Sequence, residues 1–151
     1  MAYTSAEARQ ELLESLAAAT EEIGFALAAL GEAYEQLDEH NADRLEEVLF
    51  APVQAALGEL GVRALGPAER GLPTRSFEAA SPGLPSTGAK GFIDSAVGAV
   101  ANADGTLAEL QDSGLPAEVG DVELRAALRD VRALLGDVRQ NARALERTLG
   151  R

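Results

Sequence analysis

Apolar residues return every three or four positions along most of this chain. In the first segment Leu13, Leu16, Thr20, Ile23, Leu27, Leu30, Tyr34 and Leu37 alternate those two spacings, and only Thr20 is polar without a ring. This rhythm puts the whole set on one side of a helix and predicts a coiled-coil-like seam. Leu12, Ala19, Ala26 and Ala33 run along one flank of the seam, and Ala17, Gly24 and Gly31 along the other. A glycine inside a helix costs ~1 kcal/mol relative to alanine, so close approach of neighbouring backbones is the expected compensation. Thr4 and Glu7 have the spacing of a capping box at the start.

A second helix is predicted from Arg44 to Leu60, with Leu45, Leu49, Val53, Ala56 and Leu60 on one stripe. Pro52 should kink or interrupt it, and Gly61 should stop it. One unbroken helix from residue 5 to 60 would run about 84 Å at ~1.5 Å per residue, more than the remaining helices could cover. A break is therefore placed at His40–Ala42, where Asn41 and Asp43 are poor helix formers, with Asp43 opening the new helix.

Residues 61–87 contain four Pro and four Gly and lack sustained periodicity, which predicts a long loop with one short helical turn at Pro67–Arg70. Its apolar members Leu65, Leu72, Phe77 and Leu84 are available to pin it to the helices. Ser86 or Thr87 is the expected cap of a third helix carrying Ile93, Ala96, Val100, Ala103, Leu107 and Leu110, and "SGLP" at 113–116 ends it. Asp121 is the expected cap of the last helix, where Leu124, Leu128, Val131, Leu135, Val138, Ala142, Leu145 and Leu149 form a strict heptad. The fold expected is all-α: a single four-helix-bundle domain over 1–151, with heptad-like seams and one long Pro/Gly-rich connection between helices 2 and 3.

Composition sharpens this picture. The apolar supply is mainly Ala, Leu and Val, with four Phe, two Tyr and no Trp, which suits closely packed helices better than a sheet sandwich. Absence of cysteine excludes disulfides, thiolate nucleophiles and Cys-ligated zinc. No window approaches 18 uncharged apolar residues and no signal-peptide pattern opens the chain, so the expectation is a cytoplasmic protein. The preference for Arg over Lys matches a GC-rich bacterial genome.

Charge is unevenly distributed. The chain carries a net −12, with thirteen acids against two arginines in residues 1–62 and seven arginines against five acids in residues 119–151. An acidic front and an Arg-rich tail attract each other within one domain or between two chains, and the overall sign disfavours nucleic acid and anionic membranes.

Candidate chemistry is sparse. The only histidine, His40, sits in "YEQLDEHNADRLEE", but a carboxylate-bridged metal bundle needs Glu-x-x-His, and the residue three before His40 is Leu37. Glu32, Glu35, Glu39, Asp43 and Glu46 read as one outward acidic ridge. "GLPSTGAKG" at 83–91 invites comparison with a phosphate-binding loop, yet Ala89 separates Gly88 from Lys90, Gly91 replaces the hydroxyl residue, and no strand precedes it. No base is placed to activate a Ser nucleophile. The reading is a non-enzymatic protein with no cofactor, catalytic residue or metal ligand.

What remains is surface. Opposite the first seam lie Ala18, Phe25, Ala28 and Ala29, interrupted by Glu21 and Glu22, so the middle of this helix is apolar nearly all round. Either the 61–87 loop folds over it, bringing Phe77 or Leu72 near Phe25, or a second chain packs there. Arg125, Arg132 and Arg139 recur every seven residues beside the last seam and either pair with the acidic first or second helix or receive an acidic partner. The expected function is protein–protein interaction or self-assembly, possible as a homodimer. The alternatives are a carrier of a small apolar ligand between the helices under the Pro/Gly-rich loop, and a metal-binding bundle around His40.

Overall fold

In the computed structural model, residues 5–64, 83–119 and 122–149 are described, and among them there is no strand. The helices are α1 (Ser5–Gln36), α2 (Glu39–Leu45), α3 (Ala51–Glu59), α4 (Gly88–Asp112), α5 (Leu115–Val119) and α6 (Val122–Leu149). Two wider π-type turns, Glu46–Phe50 and Leu60–Ala64, join α2 to α3 and extend α3, so the backbone is helical without interruption from 39 to 64. A 3₁₀ turn, Pro85–Thr87, leads into α4.

The predicted seams face one another. Leu124, Leu128, Val131, Leu135, Val138, Ala142 and Leu145 of α6 are buried, as are Ile93, Ala96, Val100, Ala103, Leu107 and Leu110 of α4. Leu45, Leu49, Val53, Ala56 and Leu60 line the 39–64 run from within. From α1, Leu13, Leu16, Thr20, Ile23 and Leu30 are buried, while Leu27, Tyr34 and Leu37 are half-buried. Thr20, polar in an apolar centre, donates its hydroxyl to the Leu16 carbonyl at 2.7 Å. That bond removes the penalty of an unpaired buried hydroxyl.

α1 makes its most extensive contact with α4, and α6 packs on α4 and on the 39–64 run. Gln36 Nε2 donates to the Pro85 carbonyl at 2.9 Å, which ties the end of α1 to the approach to α4 and sets the two antiparallel. Leu12, Ala19, Ala26 and Ala33 are all buried, so that flank of α1 is closed by its neighbours. The other flank divides, and Gly24 is buried as expected. Ala17 and Gly31 are half-exposed, and a β-carbon on Gly31 would meet nothing within 4 Å. Close packing does not explain Gly31.

The break after α1 falls earlier than the poor helix formers suggested. Asp38 takes an extended conformation (φ −65°, ψ 165°), and its carboxylate accepts the Asn41 N–H at 2.8 Å. Asp38, not Asp43, is therefore the cap, and Glu39 moves from an unfavourable helix end to a favourable first turn. One capping residue ends a long helix without Gly or Pro.

Pro52 also acts differently from a stop. It has no N–H to give the Val48 carbonyl four residues earlier. The preceding turn widens, with the Ala51 N–H reaching back to the Glu46 carbonyl. Asn141 Nδ2 of α6 donates to the Val48 carbonyl at 3.0 Å and replaces the missing helix bond. The helix then continues past Gly61 to the fully buried Ala64, so residues 61–64 are helix rather than loop. Residues 65–82, with Leu65, Leu72, Phe77 and the Pro67–Arg70 turn, lie outside the described residues, as do the expected caps Thr4 and Asp121.

Thr87 occupies the cap position of α4 without making a side-chain cap bond. Gly88 instead carries the change of direction, at φ 79° and ψ 161°, a region essentially confined to glycine. At the far end Gly114, at φ 79°, terminates α4 as "SGLP" predicted. The chain then resumes as α5, a five-residue helix too short to show periodicity.

Two stability outcomes follow. Asn141→Ala should cost about 1 kcal/mol by denaturant unfolding, and markedly less in a Pro52→Ala background, where residue 52 supplies its own N–H. Gly31→Ala should stabilise by about 0.5–1 kcal/mol, whereas Gly88→Ala should destabilise by about 1–3 kcal/mol. Equal effects at the two glycines would contradict the backbone assignment.

Candidate functional site

Among the described residues, the ion pairs between helices are not those of an acidic front with an Arg-rich tail. They run the other way. Arg63, a base at the end of the 39–64 run, bonds Glu123 at 2.7 Å and Asp130 at 2.8 Å, both on α6, and Glu59 at 2.7 Å. Arg63 holds the Asp130 carboxyl below its usual range, chiefly through that hydrogen bond. Arg132 and Arg139 do not pair with α1 or α2 either. Both turn to Asp104 of α4, at 2.8 and 3.6 Å, and Arg132 also donates to Gln111 at 2.8 Å. Asp104 is the one acid midway along α4, and its side chain is only 17% exposed. The heptad of arginines was visible in the sequence; its partner was not, because nothing in the α4 periodicity marks Asp104 as facing α6.

Arg125 is left outside this network. It is exposed and has no ion partner among the described residues. With Arg129, Arg143 and Arg147 it forms the outer face of α6, whose exposed centre is small or neutral at Ala133, Gly136 and Gln140. Asp137 is an exposed acid beside this line.

The outer face of α1 has the opposite sign. Glu11, Glu14, Glu32 and Glu35 are exposed, and between them lie exposed Ala18 and half-buried Phe25 and Ala28. Ala29 belongs to the core instead, fully buried, so the apolar girdle is open on one side rather than closed all round. Phe25 leans on the core with part of its ring. Leu72 and Phe77, the residues expected near it, lie outside the described residues.

The other candidates hold little chemistry. His40 is exposed in the first turn of α2, and no three His, Asp or Glu side chains converge as metal ligands among the described residues. In "GLPSTGAKG", Gly83 and Gly88 have positive φ and serve the turn into α4. A cleft of about 630 Å³ lies at α4, α5 and α6, with Pro116, Val122, Leu128, Arg125 and Arg129 among its walls. It opens beside the exposed Val122, and the connection under which an apolar ligand was expected lies, over residues 65–82, outside the described residues.

One titratable pair escaped the sequence entirely. The neighbouring Asp94 carboxyl of α4, together with burial, raises the Glu146 carboxyl of α6 to about 7, while Lys90 opposes the shift. Glu146 Oε1 is buried without a hydrogen-bond partner. Two acids on different helices carry no common sequence signal.

The sign of the resulting pH dependence is fixed. Glu146 binds its proton more tightly folded than unfolded, so its contribution is complete below the ordinary carboxylate range and is lost as pH climbs through about 7. Asp130 gives the acid limb, with stability lost as pH falls. Glu146→Gln should therefore raise the melting temperature at about pH 8 and flatten the neutral limb, leaving the acid limb in place. An unchanged profile on calorimetry would show that Glu146 does not keep its proton into the neutral range.

No protein family model, curated protein or solved structure matches this chain.

Proposed function

We propose that this chain is a non-enzymatic four-helix bundle, the segmented 39–64 run counting as one rod, that acts through protein–protein contact. The observation that carries this reading is the outer face of α1, where Ala18, Phe25 and Ala28 interrupt a row of carboxylates. A half-exposed aromatic ring set among small residues and framed by charge has the make-up of a contact surface: an apolar anchor with a polar rim. The seams are filled by apolar side chains, and the polar groups between helices pair with one another. The chemistry-bearing residues of the described chain thus serve packing and pairing, which leaves recognition to the surface.

Phe25→Glu should change the mass measured by light scattering at high protein concentration while leaving the helical circular dichroism and the unfolding midpoint within about 1 kcal/mol of the parent. Loss of helix in this variant would instead place Phe25 in the core and remove the face from consideration.

A further inference from the structure

The structure points to an occupant for that face. We infer that the outer face of α1 receives the outer face of α6 from a second copy of the chain, in a head-to-tail contact; this rests on the reading of α1 as an interaction surface.

Three observations converge. The first is charge left over. The chain's own ion pairs use Arg63, Arg132 and Arg139, and leave Arg125, Arg143 and Arg147 without a described acidic partner. Arg129 has only its sequence neighbour Asp130, at 3.3 Å, with its side chain 74% exposed. Such an exposed pair contributes little and is easily exchanged.

The second is register. On α1, Glu14 stands eleven residues before Phe25, and Glu32 and Glu35 stand seven and ten after it. On α6, Arg125 and Arg129 stand eleven and seven residues before Gly136, and Arg143 and Arg147 seven and eleven after it. At ~1.5 Å per residue, both faces therefore carry charges about 10 and 16 Å along the axis from Phe25 and from Gly136, and the nearer exposed Glu21, four residues before Phe25, comes opposite Gln140 in an antiparallel register. Laid antiparallel, as the helix dipoles favour, Glu14 meets Arg143 and Arg147 while Glu32 and Glu35 meet Arg129 and Arg125.

The third is shape. Phe25 is the bulkiest side chain on its outer face, and Gly136 is the lowest point on the other. A β-carbon at Gly136 would meet nothing within 4 Å, and its neighbours Ala133 and Gln140 are exposed. A mid-helix glycine costs ~0.5–1 kcal/mol relative to alanine, and nothing among the described residues packs there to offset it. A ring seated over that backbone would.

Geometry also determines the kind of assembly. α1 and α6 are separated by α4 and by the 39–64 run, so their outer faces point in opposite directions. One copy cannot satisfy both faces of its partner in a two-fold pair. The contact is heterologous, and because each one reverses the next copy it builds an open row of alternating copies.

The test is a photo-crosslinking residue, p-benzoyl-phenylalanine, in place of Phe25 in the full chain, irradiated in the source cells and in purified protein. The expected result is a crosslink between copies, mapped by mass spectrometry to residues 129–143. It should fall about tenfold between about 50 mM and about 500 mM salt, and equally in Arg129→Glu/Arg143→Glu. Adding Glu14→Arg/Glu32→Arg to that variant should restore it, which excludes simple misfolding. A crosslink to a different protein would overturn the second copy as occupant while keeping α1 as an interaction surface. A crosslink only within one chain, or none, would overturn both. A crosslink between copies indifferent to salt and to charge reversal would overturn the α6 face.

Discussion

Removal of water from the space between α1 and α4 is the constraint on which the other features depend. α1 contributes Ala19, Ala26, Ala29 and Ala33 to the core, and α4 contributes Ala96, Ala99 and Ala103. Side chains this small bury little area individually, at ~25 cal/mol per Å². Their value lies in letting two long backbones approach, so that Leu16, Ile23, Leu30, Phe92 and Leu107 gain dense contact around them. The bulk of the core is then completed by the leucines of α6 and of the 39–64 run.

A centre without water makes a polar group costly to bury unless it brings a partner. Thr20 bonds the carbonyl one turn back. Asn141 covers the carbonyl that Pro52 orphans. Charges are pushed to the edges of the helix interfaces, where Arg63 and Asp104 each gather several opposite charges. Glu146, beside the Asp94 carboxyl at such an edge, has its own carboxyl raised to about 7 instead. Because these edges settle their charges locally, the outer faces of α1 and α6 keep theirs. The surplus acid on one side and base on the other is thus a by-product of how the interior pairs.

The apolar period was enough to place the seams: those of α4 and of the 39–64 run are buried in full, and those of α1 and α6 all but at a few positions, while Phe92, Ala99 and Ala127 join the core from outside the predicted stripes. Helix ends were less legible. Asp38 ends α1 because its carboxylate satisfies Asn41, a local event that competes with the strong helix formers around it. The run to Ala64 outlasts Gly61 because Arg63 is held by α6 and Ala64 by the core, contacts made by residues some sixty positions away in the chain. Interaction-surface readings divided in the same manner: Ala18, Phe25 and Ala28 lie on the outer face, whereas Ala29 is core and Arg132 and Arg139 are engaged with Asp104.

By itself, then, the sequence determined that the chain is helical and which stripe of each helix turns inward, since both follow from spacing along one strand of residues and from the cost of wetting apolar side chains. Only the tertiary structure decided which acids meet which arginines, where a carbonyl lost to proline finds its donor, and which outer faces stay open. Those outcomes depend on the rotation and register of one helix against another, and a one-dimensional pattern of hydrophobicity is the same for every such register.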